Sequence, residues 1–354
     1  SGIEEVRLKV DSGPGTLSLA SGTHPVTDLH ISGTYGRPDD RLQLILESLG
    51  TGGFKGHVEL ELERALTGEG FRPFRLTSPA LTANLTPFLE APIDIASLDA
   101  AGEADLTALA VRNTKAKLVI GGAEFALQGD MARTPDRQPG ESPFIGTLDV
   151  EVPGTLPRET VVALWPAKLA SGARDFGAKQ IEAGVARNAK GHVTLARDSF
   201  AEGYLRDTDL EVTFDVEGAR VKFLEDLPPV DNGVGSGRLT GNSFKVVLDS
   251  GTYAGWQVTE GLVDFPAFNP RGTEFRVFAK GKGPARNIIK TLAESRLQFD
   301  LDPARVSGDA EFTYELFRPA LDDVPYEDLR FTGLGTIRNG GLKGAAFGLD
   351  LTGA

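Results

Sequence analysis

Cysteine is absent from the 354-residue chain, and this absence narrows the classes of protein to consider. Secreted eukaryotic domains of this size often use disulfides, so that class is disfavoured. A large hydrophobic core needs no disulfides, so the absence of cysteine does not exclude a protein of the bacterial periplasm. No thiol is present to complete a zinc site, and the four histidines (His24, His30, His57 and His192) have no partner at metal-ligand spacing. We therefore expect no bound metal and a structural role for the histidines.

An excess of basic residues and a long apolar run are also missing. The formal net charge is -13 at pH 7, which argues against nucleic acid as a partner because phosphate binding needs clustered Lys and Arg. It also argues against electrostatic docking on an anionic membrane surface. No apolar run reaches the ~18 residues that a transmembrane helix requires, and no signal peptide is present.

Both ends of the sequence lie in a strand pattern. Ser1-Gly2 resembles a cloning remnant, and Ile3 begins directly in an alternating pattern of apolar and polar residues. Leu349–Thr352 closes the chain in a similar pattern. We therefore expect the chain to be an excised segment of a longer protein.

Motifs for catalysis and nucleotide binding are missing as well. A Gly-x-Ser-x-Gly nucleophile elbow does not occur, and Gly233-x-Gly235-x-Gly237 has neither the spacing nor the strand-to-helix context of a dinucleotide-binding loop. We interpret that stretch as a strand that needs small residues for close backbone approach. Carboxylate pairs such as Asp39-Asp40 are expected by chance among 50 acidic residues. We expect neither an enzyme nor a cofactor.

The chain is instead rich in turn residues and in alternating patterns. Its 43 glycines and 21 prolines favour many short strands with tight turns. The clearest alternation lies in Phe54–Leu66, where Val58, Leu60 and Leu62 alternate with glutamates, which predicts one apolar and one acidic face. Gly121-Gly122 predicts a two-residue hairpin turn. The prolines between Leu76 and Thr107 make that stretch less regular.

Three short helices are predicted among the strands. The stretch 158–164 is helical in character and is ended by Pro166, because proline cannot donate the amide that a helix interior needs. A second helix is predicted over 169–180. The third, 285–294, places Ala285, Ile288, Ile289 and Leu292 on one face.

Several short motifs follow one another in an order that carries a family resemblance. They are Leu164-Trp165-Pro166, the Ile181–Gly184 step into a strand, the Leu227-Pro-Pro229 connector, the Gly-rich meander from Asn232, and Gly281–Leu292. Over about Pro157 to Leu297 this order resembles the middle domain of the YhdP-like branch of the AsmA-like envelope proteins, relatives of TamB. The resemblance implies a periplasmic, groove-shaped β protein that carries phospholipid between the inner and outer membranes. It also implies an inner-membrane anchor in the full-length protein.

We therefore expect a mainly β fold, an elongated, curved antiparallel sheet or groove (β-taco-like) with about three short helices. A β-rich segment at 1–156 is expected to precede the YhdP-like β domain at 157–354. The apolar groove would bind phospholipid or another acyl-chain lipid. Its candidate lining residues are Val58, Leu60, Leu62, Phe244, Val246, Leu248, Trp256 and Val258. The alternative is a structural or assembly scaffold of the bacterial envelope with a closed β core and no lipid cargo.

Overall fold

The computed structural model is dominated by antiparallel strands. It describes residues 4–19, 22–51, 53–86, 89–166, 171–222, 228–294, 300–321, 324–346 and 349–353. The chain forms two compact units, the first comprising residues 1–169 and 188–212 and the second residues 170–187 and 213–354. The sequence-based boundary between residues 156 and 157 stays a prediction about domain organisation.

Unit 1 contains the first ten strands and one helix. Both β1 and β2 pair with β3, and from β3 to β10 each strand pairs antiparallel with the next along the chain. The elements are β1 (Glu5–Ser12), β2 (Gly15–Leu19), β3 (Gly22–Gly36), β4 (Arg41–Thr51), β5 (Phe54–Glu63), β6 (Arg72–Ala83), β7 (Ile93–Asp105), β8 (Ala110–Ile120), β9 (Ala123–Arg133), β10 (Phe144–Pro157) and α1 (Arg158–Leu164).

Unit 2 contains the later strands and two helices. Strands β11 (Ile181–Leu195) and β12 (Leu210–Val221) contribute residues to both units. From β13 to β19 each strand again pairs antiparallel with the next. The remaining elements are α2 (Ser171–Gln180), β13 (Val230–Thr240), β14 (Phe244–Tyr253), β15 (Trp256–Phe265), β16 (Glu274–Pro284), α3 (Ala285–Glu294), β17 (Val306–Pro319), β18 (Arg330–Ala346), β19 (Leu349–Thr352) and 3₁₀ helices at Pro303–Arg305 and Tyr326–Asp328.

The predicted fold class is confirmed: the protein is mainly β, with open antiparallel sheet and three short helices. Helix α1 ends at Leu164, one residue before Trp165-Pro166, as the missing proline amide requires. Helix α3 occupies the predicted residues. Of the predicted second helix, residues 169 and 170 lie outside the described chain, as does Leu227 of the Leu227-Pro-Pro229 connector. Within the described parts of the chain, no helix has the length and apolar character needed to span a membrane.

The hairpin between β8 and β9 shows how local sequence sets the strand register. Ile120 pairs with Ala123 across Gly121-Gly122. Both glycines have positive φ, 56° and 79°, the backbone conformation that a tight two-residue hairpin turn needs. The predicted two-residue turn is confirmed.

The stretch from Leu76 to Thr107 is more regular than its sequence predicts. One interruption is confirmed, because β6 ends at Ala83 and β7 begins at Ile93, just after Pro92; the expectation was wrong for the rest of the stretch up to Asp105, which lies in these two strands. The register between β5 and β6 shifts between His57 and Glu59. Ser78 and Pro79 lie at this shift. A residue in a bulge is left out of the hydrogen-bond ladder, so the backbone N–H that proline lacks is not needed there. The Ser78 hydroxyl donates to the His57 carbonyl oxygen at 2.5 Å. The proline is thus accommodated by a bulge.

Asp40 holds two loops of unit 1 together. Its carboxylate accepts hydrogen bonds from the Thr67 hydroxyl, the Leu66 amide at 2.9 Å, the Thr67 amide at 3.0 Å and the Tyr35 hydroxyl at 3.1 Å. These donors favour the ionised form, the Thr67 hydroxyl most of all, and lower the pKa of Asp40 to about 2. The carboxylate therefore joins the turn between β3 and β4 to the loop that follows β5.

We predict that Asp40→Asn lowers the stability of unit 1 at neutral pH, because an amide oxygen is a weaker acceptor than a carboxylate. The pKa of Asp40 is lower in the folded state than its ordinary value of 3.8. Its stabilising contribution is therefore complete above about pH 4 and is lost as the pH falls toward about 2. The difference in thermal midpoint between wild type and variant, measured by calorimetry, should be full at pH 7 and close in that acid range.

The control is Asp39→Asn, which changes the exposed neighbour in the same turn. It should shift the midpoint little at any pH. A stability difference for Asp40→Asn that stays constant from pH 7 to pH 2 would contradict the assigned role of the carboxylate.

Candidate functional site

One face of the unit 1 sheet is apolar across its central strands. Leu42, Leu44 and Leu46 of β4 pair directly with Leu62, Leu60 and Val58 of β5. On the other side of β5, Leu60 pairs with Leu76 and Leu62 with Phe74. Leu98 of β7 and Leu118 of β8 continue this surface. We call the surface formed by Leu42, Leu44, Leu46, Val58, Leu60, Leu62, Phe74, Leu76, Leu98 and Leu118 the leucine face.

The opposite side of the same strands is charged and hydrogen-bonded to itself. Arg41 donates to Glu63 at 3.0 Å, and Gln43 donates to Glu61 at 2.8 Å. Further along, Arg75 donates to Asp99 at 2.8 Å. These pairs are exposed, so they contribute little net stability, but they keep that face in water. The sheet therefore has one charged, solvent-exposed face and one apolar face, as the alternation in β5 predicts.

The leucine face is not fully covered by the described parts of the protein. Leu60 is flanked on both neighbouring strands by leucines and along its own strand by Val58 and Leu62. It is nevertheless only half-buried, as are Leu44 and Leu76. Because flanking strands already cover its sides, the remaining exposure lies above the face. Leu62, at 3% exposure, is the fully buried member of the predicted β5 set.

Helix α1 closes one end of unit 1. Its Thr160 is buried against the turn between β8 and β9, where a Cβ added to Gly121 would lie 2.4 Å from the Thr160 hydroxyl oxygen. The turn thus needs glycine both for its positive φ and for the helix to approach. The helix covers the hairpin end rather than the centre of β4 and β5.

The other predicted lining residues lie in unit 2, on the side of its sheet that carries the buried side chains, which we call its inner face. Most of them are more deeply buried than the predicted residues of unit 1. Phe244 pairs with Phe265, Val246 with Val263 and Leu248 with Gly261. Phe244, Leu248, Trp256 and Val258 are buried, and Val246 is half-buried. Leu248 and Val258 form a core cluster with Val230, against which Tyr253 packs. Burial raises the pKa of the Tyr253 hydroxyl to about 12, with a smaller contribution from Tyr314.

Large side chains of unit 2 lie over glycines on neighbouring strands. A Cβ on Gly237 would lie 2.2 Å from the Phe214 ring, and one on Gly283 would lie 3.3 Å from the Trp256 ring. Phe312 similarly lies over Gly333, at 3.4 Å. The glycines leave room for each ring to pack against the neighbouring strand, so that the side chains of the sheet itself fill this face.

Helix α3 adds a second layer over part of unit 2. Ala285 and Ile289 pack with Trp256, Val306 and Ala310 in one core cluster. The Trp256 and Phe312 rings meet edge to face with centroids 6.3 Å apart. At the other end of β15, the Phe265 ring stacks on Phe275 at 4.2 Å and contacts Phe244 at 6.3 Å. Trp256 and Phe244 thus belong to closed packing rather than to an open wall.

The histidines and carboxylates of the described residues form no metal site. No group of three or more of them lies close enough to hold an ion in those parts of the chain. His192 lies on the charged side of β11, where its Nδ1 is 2.6 Å from Asp149 and its Nε2 is 3.1 Å from the Thr194 hydroxyl. Gly233, Gly235 and Gly237 lie within β13, as the strand interpretation predicts.

The structure therefore separates the eight predicted lining residues into two sets. Val58, Leu60 and Leu62 lie together on the leucine face of unit 1, and the β14 and β15 residues lie in the packed interior of unit 2. Sequence reasoning did not select Leu42, Leu44, Leu46 and Leu76, although the alternation over Leu42–Glu47 is the signal that identifies three of them.

Comparison with known proteins gives no further identification: no family model, curated protein or solved structure matches the chain. The resemblance to the AsmA-like envelope proteins therefore stays a prediction. The two apolar faces differ in how fully each is covered, and this difference bears on function.

We predict that the same substitution has different effects on the two faces. Leu248→Asp places a carboxylate in the packed Val230 and Val258 cluster, which should destabilise the fold by several kcal/mol. Leu60→Asp places it on a half-buried face from which it can reach water, so the loss should be much smaller. Urea denaturation of both variants measures the difference.

Glu61→Lys is the matched control on the charged side of β5, and it should change stability little. If Leu60→Asp destabilises the protein as much as Leu248→Asp does, the leucine face is a closed core and the distinction between the faces is wrong.

Proposed function

We propose that unit 1 binds the acyl chains of phospholipid on its leucine face. The single observation that carries this proposal is the half-buried state of Leu60 and its neighbours at the centre of the sheet. An apolar surface of this kind in water favours an apolar ligand, and each methylene removed from water contributes ~0.8 kcal/mol. The charged face on the other side of the strands keeps the bound complex in an aqueous compartment.

The chemistry of the leucine face indicates what part of the lipid it recognises. The central inward positions of these strands, 42–46 in β4, 56–62 in β5 and 74–78 in β6, carry leucine, valine, phenylalanine, glycine and serine, whereas the charged Arg72 at the end of β6 donates to the Ala65 carbonyl oxygen at 2.8 Å. Such a surface supplies dispersion contacts and no ion pair to a phosphate. We infer that it selects for acyl chains and discriminates poorly between headgroups.

The cellular role follows from joining this face to the sequence resemblance. We propose that the chain is a periplasmic segment of an AsmA-like envelope protein, anchored in the inner membrane in its full-length form. There it conducts phospholipid between the inner and outer membranes. Support comes from the ordered motifs over Pro157–Leu297 and from the absence of cysteine in a chain of this size. The proposed activity is binding and transfer, without catalysis.

Lipid extraction from the purified protein tests this function. We expect the wild type to yield bound phospholipid by mass spectrometry, and Leu60→Asp to yield much less while keeping its circular dichroism spectrum. Glu61→Lys, one residue away on the charged face, should retain the wild-type amount. A folded wild-type protein that carries no phospholipid, before and after incubation with vesicles, would contradict lipid binding.

A scaffold of the bacterial envelope is the second candidate function, and the packing of unit 2 favours it. There Leu248 and Val258 are buried in one cluster with Val230, and Trp256 is buried in another with Ala285 and Ile289 of α3. A chain whose two units were both closed in this way would carry no lipid. The scaffold function therefore predicts strong destabilisation by Leu60→Asp together with an empty lipid extract.

A further inference from the structure

Two loops at one end of the unit 1 sheet each expose a leucine. Leu66, in the loop between β5 and β6, is 74% exposed, and Leu106, in the loop between β7 and β8, is 57% exposed. Strands β5 and β7 run in the same direction, because each pairs antiparallel with β6. The two loops therefore lie at the same end of the sheet, and the strands that lead into them are two strand spacings apart, about 10 Å.

Two exposed phenylalanines lie at this same end. Phe144 begins β10 and pairs with Arg133, the last residue of β9, which runs in the same direction as β7. Phe200 lies in the loop between β11 and β12, where the Arg197 carbonyl oxygen accepts a hydrogen bond from the Ser142 amide at 2.9 Å. Both phenylalanines are exposed. We call the set Leu66, Leu106, Phe144 and Phe200 the apolar end of unit 1.

Hydrogen bonds hold the two leucine loops in place. One carboxylate oxygen of Asp105 accepts from the Thr107 amide at 2.9 Å and from the Ala108 amide at 3.0 Å. Asp40 accepts from two amides of the Leu66 loop, at 2.9 and 3.0 Å. Loops fixed in this way do not fold back over an apolar side chain, so each leucine stays in water in the free protein. Contact with an apolar partner would remove it from water, which is favourable.

We propose that the apolar end docks on a phospholipid bilayer, with its four side chains inserted below the headgroups. The small apolar area favours a bilayer over a protein partner. Four separate side chains expose roughly a few hundred Å², less than the ~1,000 Å² that a stable protein interface buries. A bilayer accepts separate apolar side chains, since the lipids adapt to their shape.

The position of the apolar end also favours a bilayer. The Leu66 loop joins β5 to β6, and Leu62 and Phe74 of these strands are the paired members of the leucine face nearest to it. A lipid that leaves a bilayer at this end therefore meets the leucine face directly. This part of the argument rests on the proposed lipid binding by unit 1, whereas docking itself does not need an occupied leucine face.

The charge of the chain indicates which bilayer it fits. The formal net charge is -13 at pH 7, so anionic lipid repels the protein and docking depends on apolar insertion. We therefore expect docking on vesicles of phosphatidylcholine and phosphatidylethanolamine, whose lipids carry no net charge. Docking should weaken when phosphatidylglycerol replaces phosphatidylcholine.

Fluorescent labelling of single-cysteine variants tests the insertion, since the chain has no cysteine of its own. Bimane on Leu66→Cys or Leu106→Cys should shift to shorter wavelength when the uncharged vesicles are added, and lipids brominated on their acyl chains should quench it. The matched control is Leu85→Cys, in the loop at the opposite end of β6, where the Thr86 amide donates to Asn84 at 3.2 Å. Bimane there should stay in water. Labels at Leu66 and Leu106 that also stay in water, or equal quenching at Leu85, overturn the proposal.

Co-flotation of unlabelled variants with the same vesicles gives a second test. Leu66→Ser combined with Leu106→Ser should lower partition onto the vesicles at least about tenfold. Circular dichroism and Tm should stay those of the wild type, because both side chains are exposed. Leu85→Ser should float like the wild type. A double variant that floats as well as the wild type, or stronger flotation with phosphatidylglycerol, overturns the proposal.

Leu60→Asp separates docking from lipid binding on the leucine face. This variant should float with vesicles like the wild type but yield little phospholipid on extraction. A wild-type protein that yields phospholipid and does not float overturns docking alone. One that floats and yields no phospholipid supports docking and contradicts only the lipid-binding function.

Discussion

An antiparallel sheet with one apolar face must have that face covered, and this constraint governs both units of the protein. Strict alternation places every second side chain of a strand on the same side of the sheet. The register between strands then places the leucine, valine and phenylalanine side chains of neighbouring strands together on one face. Three short helices are too few to cover such a surface. The rest of the apolar face must then be covered by the sheet's own side chains or by another molecule.

The two units meet this constraint with different residues. Unit 2 combines glycines with aromatic rings on adjacent strands, so that Trp256 and Phe312 pack over Gly283 and Gly333, and α3 adds Ile289 to the same cluster. Unit 1 has branched aliphatic side chains at the corresponding positions of β4 and β5, and its helix α1 packs at the hairpin end. No helix or ring in the described residues is placed over the centre of these two strands, and Leu60 is half-buried. The proposed lipid site follows from this difference in composition.

The sequence predicted the parts of the structure that depend on local chemistry. Alternation identified β5, Gly121-Gly122 identified the hairpin between β8 and β9, and Pro166 marked the end of α1. The prediction from sequence failed at β6, because the bulge at Ser78-Pro79 allows a proline within the strand. This bulge depends on the register with β5, which the local sequence does not determine. It also could not separate Leu60 from Leu248, since both alternate in the same way. Their difference in burial depends on residues of other strands, such as Val230 and Val258, which pack against Leu248 only in the folded chain.

Photochemical mapping with a phospholipid that carries a diazirine on its acyl chain tests whether lipid binds on the leucine face. After irradiation and proteolysis, we expect adducts on the leucine face of unit 1, concentrated on residues 42–46, 58–62 and 74–76. Within β5 the adducts should fall on Val58 and Leu60 rather than on Glu59 and Glu61. Adducts spread evenly over both sides of β5, or confined to the β14 and β15 residues of unit 2, would contradict lipid binding on this face.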